Sequence, residues 1–248
     1  MKTLKKNLGL FVVVFFIALT FACSTDDGLS IATPSVTFKT TNYDSDFFEE
    51  GSTEIPTILW NGDLGTLRLG NNIPGITLDA SSGVINWSKA LPLGMNNVEL
   101  IATNSQGSST TVITIENKFE GTFIGAYNSD PNSTVVSANF AMVFEDDFMM
   151  TAYDGGLDGT PTTEGNWTRI GNTITSVYTY NDTSFITVEV DVTHNETEAI
   201  INGQWYRGSD NTTTPVGYLS LSLDSFIEAR NSLSTKTNKN QNKVLQSL

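Results

Sequence analysis

The sequence predicts an all-β protein made of two successive strand-rich blocks, residues 31–117 and 119–227, behind a cleavable leader. Three observations carry this. Apolar and polar residues alternate with a period of two in run after run, and no helical period is sustained. Clusters of Gly, Asn, Asp and Ser punctuate the runs, as turns between strands require. The 39% hydrophobic content, set against 16% charged residues, belongs to a chain that buries a core.

The leader comes first in the chain. Lys2, Lys5 and Lys6 precede an apolar run from Leu8 to Phe21 that ends at Ala22-Cys23. A membrane-spanning helix needs about 20 apolar residues, so this shorter run reads as a secretory signal over 1–22. Cys23 is the only cysteine, which excludes a disulfide framework and a Cys-based zinc site. The stretch Leu19-Thr20-Phe21-Ala22-Cys23 resembles the lipobox of bacterial lipoproteins. That resemblance implies that Cys23 carries a diacylglyceryl group and becomes the mature N-terminus. Each buried methylene adds about 0.8 kcal/mol and two chains anchor stably, so the chain is expected to be tethered to a membrane, not to span it. Ser24-Thr25-Asp26-Asp27-Gly28 follows, and its acidic pair looks like the signal that sends some Gram-negative lipoproteins to the outer face of the outer membrane. The alternative is a solvated tether; in either case residues 23–34 read as a lipidated linker.

In the first block, Val98, Leu100 and Ala102 alternate with polar or outward residues, Asn104-Ser105-Gln106-Gly107 turns the chain, and Thr111, Ile113 and Ile115 return it. This is a hairpin with one apolar face. Upstream, Pro74-Gly75, Leu78-Asp79, the Ser82-Gly83 turn, Val84-Ile85 and Trp87 form a strand–turn–strand run. Together with the closing hairpin these residues are similar to the immunoglobulin-like domains of bacterial surface proteins, relatives of the cadherin-like sandwiches. The resemblance implies a β-sandwich used as a spacer or adhesion module over about 31–117, with Trp87 in its core. The acidic motifs by which some cadherin-like relatives hold calcium between domains are absent.

The second block has the cleaner code. Ile186, Val188, Val190 and Val192 alternate with Thr187, Glu189, Asp191 and Thr193, and Leu219, Leu221 and Leu223 alternate with serines. Further strands are expected in 122–127, 135–144, 148–153, 173–180 and 199–206. Short turns between these strands predict an antiparallel up-and-down β-barrel or a compact β-sandwich. Gly125-Ala126-Tyr127, Gly165-Asn166-Trp167 and Gly203-Gln204-Trp205 look like the Gly-x-Trp element of lipocalin and avidin barrels. In those families the glycine lets strands approach and the Trp plugs one end. Residues 229–248 are polar and basic and are expected to be a disordered tail.

Charge and composition narrow the function. With the leader removed, 10 basic residues face 27 acidic ones, a balance of -17, and no basic patch interleaved with aromatics occurs. Nucleic acid is therefore excluded as a partner. His194 is the only histidine, which leaves no His-based triad or multi-histidine metal site, and its position beside Asn195-Glu196 reads as an exposed turn. Glu145, Asp146 and Asp147 cluster at a turn and read as a solvated hairpin tip; a glycoside hydrolase, which needs two carboxyls facing across a cleft, is a remote alternative. Asp154-Gly155-Gly156-Leu157-Asp158-Gly159 reads first as a structural turn and second as a calcium loop with Asp154 and Asp158 as ligands. No other cofactor is expected.

The expected function is thus that of a non-catalytic, lipid-anchored cell-envelope protein whose first block spaces the second from the membrane. The alternative is a surface glycan-binding lipoprotein of a polysaccharide-uptake system, with Trp60, Trp167, Trp205, Tyr178, Tyr180 and Tyr206 available to stack on sugars. Any glycan or protein ligand is assigned to the second block, and Trp167, Trp205 and Tyr206 are its leading candidates. Trp205 and Tyr206 are neighbours on one strand, so one of them is expected to be wet. Cys23→Ser should release the protein from membranes; persistence in the membrane fraction with unchanged lipid labelling would refute the anchor.

Overall fold

The computed structural model describes residues 32–157, 163–180 and 184–224. The leader, Cys23, most of the linker, Asp158 and the basic tail lie outside them. Every regular element among the described residues is a strand. Nine strands form the first block: β1 (Ser35–Thr37), β2 (Asn42–Asp46), β3 (Gly51–Ser52), β4 (Thr57–Leu59), β5 (Thr66–Leu69), β6 (Ile76–Leu78), β7 (Ile85–Trp87), β8 (Gly94–Asn104) and β9 (Gly107–Lys118). Eight form the second: β10 (Gly121–Tyr127), β11 (Ala138–Phe144), β12 (Met149–Asp154), β13 (Thr163–Ile170), β14 (Thr173–Tyr180), β15 (Ser184–His194), β16 (Ala199–Arg207) and β17 (Gly217–Leu223).

The first block is organised by its long hairpin. Alternation along β8 and β9 puts Val98, Leu100, Ala102, Ile113 and Ile115 on one buried face. β2 joins β9 in parallel and β5 joins β8 antiparallel, giving a four-stranded sheet in the order β2-β9-β8-β5. A three-stranded sheet β3-β7-β6 and a two-stranded sheet β1-β4 complete the block. Residues from all three sheets, among them Val36, Leu67, Ile85 and Leu100, share one apolar cluster. Trp87 belongs to it. Its indole N–H donates to Ser45 Oγ at 2.9 Å, and Tyr43 packs on its ring with centroids 5.9 Å apart.

The turn between β6 and β7 forms as its sequence requires. Asp79 accepts from the Ser81 amide and from the hydroxyls of Ser81 and Ser82, and Gly83 stands at φ +80°, where an L side chain would be strained. Those donors hold the Asp79 carboxyl down at about 2.

The second block closes on itself. β10 to β17 pair antiparallel in chain order and β17 returns to β10, so the structure is an up-and-down barrel, not a sandwich. Inward positions are apolar, including Phe123, Met142, Ile174, Val190, Ile201 and Leu221, while Thr, Asn, Ser, Glu and Asp dominate the outer face. A membrane-spanning barrel carries the reverse pattern on its belt. The Gly-x-aromatic glycines are sites of strand contact. A Cβ on Gly125, Gly165 or Gly203 would collide with the carbonyl oxygens of Ser220, Val177 and Glu189 respectively.

Alternation did not bound β13, because Glu164, Gly165 and Arg169 interrupt any apolar stripe there. β11 starts at Ala138, not at Val135, which is 78% exposed in the loop before it. The connections at one end are also longer than short turns: 128–137 and 208–216 join β10 to β11 and β16 to β17.

The other end of the barrel is sealed by the first block. Phe47 and Phe48, at the turn after β2, belong to the barrel's core cluster. The Phe47 ring lies 5.3 Å from Phe119, 6.3 Å from Phe123 and 5.2 Å from His194, centroid to centroid. Phe119, in the two-residue link between β9 and β10, continues the contact to Phe144 at 5.1 Å and Trp167 at 5.4 Å. His194 is therefore no exposed turn residue. It is half-buried and donates from Nε2 to the Leu91 carbonyl at 2.9 Å, while Ser88 Oγ donates to Glu196 at 2.6 Å. These contacts join the first block to the β15–β16 turn.

The seal holds its backbone under strain. Phe48 stands at φ 63° and Phe148, which packs on Trp167 at 5.0 Å, at φ 68°. Each conformation costs about 1–2 kcal/mol for an L-residue. Aromatic pairs contribute about 0.5–1.5 kcal/mol apiece beyond the area they bury, so the ring cluster offsets that cost. Phe47→Ala should lower unfolding stability by about 3–5 kcal/mol in urea titrations. An unchanged midpoint would mean that the barrel floor closes without the first block.

Candidate functional site

With one end filled by rings, the barrel's other end is a cup of about 770 Å³. Its position follows from side-chain size and strand parity. Inward residues in the lower barrel are large and interlocked, whereas near the loops the small Ala152 leaves space. Apolar walls come from Phe140, Ile186, Val188 and Leu219, and aromatic ones from Tyr127, Tyr178, Tyr180 and Trp205. Ser129, Ser184, Asp154 and Arg207 supply polar groups.

Trp205 is anchored through its indole N–H, which donates to the Asn128 carbonyl at 2.8 Å. Asn128 organises the mouth loop in turn. Its side-chain amide donates to the carbonyls of Ser133 and Val135 at 2.7 and 2.9 Å, and its Oδ1 accepts from the Tyr218 amide at 3.0 Å. Gly217 leaves room for this bracket, since a Cβ there would strike both the Asn128 carbonyl and the Trp205 indole nitrogen. Phe185 at the rim and Val135 in the mouth loop are 51% and 78% exposed, so apolar side chains border the entrance beside its polar groups.

Two of the cup's tyrosines, Tyr127 and Tyr178, are held in the protonated form. Burial pushes the Tyr178 phenol up most, and the Asp154 charge with the neighbouring Tyr127 and Tyr180 adds to it. Tyr127 is raised for the same first reason, then by Asp154, to whose Oδ1 its hydroxyl donates over 3.4 Å. The cup therefore presents phenolic donors and ring faces around one carboxylate.

The residues expected to bind ligand are not gathered in one place. Trp205 lines the cup. Trp167 lies in the seal at the opposite end, 4% exposed, with its indole N–H donating to the Glu145 carbonyl at 3.1 Å. It packs there against Phe119, Phe144 and Phe148. Tyr206 points to the outer face of β16, yet it is only 7% exposed. Tyr206 is covered because the segment 208–216 is hydrogen-bonded over that outer face through Thr187 Oγ1 to Gly208 and Asn211 to Glu189, whereas Trp205 is partly exposed in the cup. Tyr178 and Tyr180 do line the cup, as their shared parity with Ile174 allows.

Asp154 stands at the rim, and Gly155 and Gly156 after it adopt φ of 89° and 90°. Calcium takes six to eight oxygen ligands. Asp158 is outside the described residues, and among the described residues no three His, Cys, Asp or Glu side chains gather as a metal set. Tyr127, Phe140 and Arg207 were missed as site residues. For Tyr127 and Phe140 the available signal was parity, since both alternate in step with core residues of their strands.

No family model matches the chain, and no curated protein does. Among solved structures, it is similar to a quinonprotein alcohol dehydrogenase-like protein from Bacteroides thetaiotaomicron, at 13% identity and a TM-score of 0.28. That match covers 73% of this chain and 48% of the other, so the chain spans about half the length of that protein. A likeness of this size carries no argument about fold or function.

Proposed function

We propose that this protein is a non-catalytic binder of a small amphipathic ligand, held in the open end of its barrel and tethered to the outer membrane through lipid on Cys23. The observation that carries the reading is the 770 Å³ cup itself, apolar at depth, aromatic at mid-height and polar at the rim. Ligand sites of roughly 300–1,000 Å³ with few polar groups among apolar and aromatic walls are the usual form for small molecules. Binding is favoured over catalysis because Asp154 is the one carboxylate lining the cup among the described residues. The only histidine is in the seal at the far end.

In this reading the first block is an immunoglobulin-like sandwich, on the strength of the Pro-Gly, Leu-Asp and Ser-Gly-Val-Ile elements and Trp87. It acts as spacer and as stopper together. The acidic pair after Cys23 favours display on the outward face of the outer membrane. A glycan ligand remains a second reading, favoured by the rings of Tyr180 and Phe185, 38% and 51% exposed at the rim.

The neutral fluorescent probe 1-N-phenylnaphthylamine should bind the folded protein at one site with enhanced emission. Ala152→Leu, which fills the cup from a fully buried wall position, should weaken that binding about tenfold or more while the far-ultraviolet circular dichroism is retained. Probe binding unaffected by Ala152→Leu would place the site elsewhere, and displacement of the probe by neutral oligosaccharides but not by alkyl ligands would favour the glycan reading.

A further inference from the structure

The cup's two charged groups stand on opposite walls, and the tyrosines interact with the acidic one. Asp154 ends β12, and Tyr127 ends β10 two strands to one side, while Tyr178 and Tyr180 end β14 two strands to the other. Arg207 ends β16, four strands from β12 and so across the eight-stranded barrel from Asp154. A carboxylate flanked on both sides by phenol rings is a surface that favours positive charge. The ring faces are electronegative, the phenolic oxygens can accept, and the carboxylate supplies a full charge. The opposite wall, with Arg207, repels a cation and leaves it one place to settle.

We propose that the ligand is an organic cation, an ammonium or quaternary ammonium group on an apolar body, with its charged head between Asp154 and the rings of Tyr127, Tyr178 and Tyr180. The proposal rests on the cup being the ligand site and adds the charge it selects. The apolar body fits the depth of the cup, where Phe140, Val188 and Leu219 form the wall. The chain's formal charge of -14 draws cations toward it in addition. Burial and the Asp154 charge keep Tyr178 in its neutral form, so no phenolate is needed. The tyrosine rings and the carboxylate remain the binding groups.

Displacement of 1-N-phenylnaphthylamine by three ligands of equal chain length tests this, each below its micelle concentration and at about 0.15 M salt, where exposed charges beyond roughly 8 Å are screened. Dodecyltrimethylammonium should bind about five- to tenfold more tightly than dodecanol, and dodecyl sulfate least tightly. Asp154→Asn, isosteric and at an exposed position, should reduce the preference for cation over alcohol to about twofold. Glu198→Gln, which removes one charge at the sealed end, should leave the preference unchanged. Equal binding of cation and alcohol, an unchanged preference in Asp154→Asn, an equal loss in Glu198→Gln, or a preference for the sulfate would each overturn the inference. In those cases the cup would still be a ligand site. If neither the neutral probe nor dodecanol binds, the reading of the cup fails and the charge inference falls with it.

Discussion

The ring cluster at the base of the barrel is the constraint on which the rest of the structure depends. An eight-stranded barrel has an interior about wide enough for side chains to fill it, so whether it holds a ligand is decided by which level is filled and which is not. Here the lower level is filled partly from outside the barrel. Phe47 and Phe48 enter from the first block, Phe119 from the link, and Phe123, Phe144 and Trp167 from the barrel itself. Once the base is closed by rings, apolar surface at the top remains accessible from the loop side alone. The cup and its single entrance are consequences of the seal.

The same seal ties the first block to the barrel. A spacer needs a surface at each end and no particular relation to its neighbour. This block instead places two phenylalanines, the Leu91 carbonyl and Ser88 against the barrel's β15–β16 turn and base. It keeps Phe48 in a backbone conformation that bulky residues avoid, which persists only where the surroundings over-determine it. The two blocks are consecutive in sequence and alternate independently, yet one apolar cluster crosses the break at 117–119.

Much of the fold was legible because sheet geometry writes itself into sequence with a period of two. The strands β8, β9, β15 and β17 are plain in that code, as is the inward parity of Tyr178 and Tyr180. What was not legible involves closure and contact between segments far apart in the chain. Parity says that Trp167 and Trp205 both face inward; it does not say that one is in the base and the other at the mouth, because that depends on where each falls along its strand relative to a stagger known only after the barrel closes. The burial of Tyr206 was hidden for a related reason. Alternation sends it outward correctly, but outward is not wet where a later loop folds back across the face. His194, alone in composition and beside polar residues, gave no sign that its partner is a carbonyl more than a hundred residues earlier.

The barrel is closed against the first block, and the ligand is proposed to enter at the other end. Amide chemical-shift mapping during titration with 1-N-phenylnaphthylamine tests it most directly. Shifts are expected at the ends of β10, β12, β14 and β16 and at the start of β15, with the amides of Phe47, His194 and β8 unmoved. Shifts concentrated at Phe47, Phe119 and Trp167, or in the first block, would contradict it.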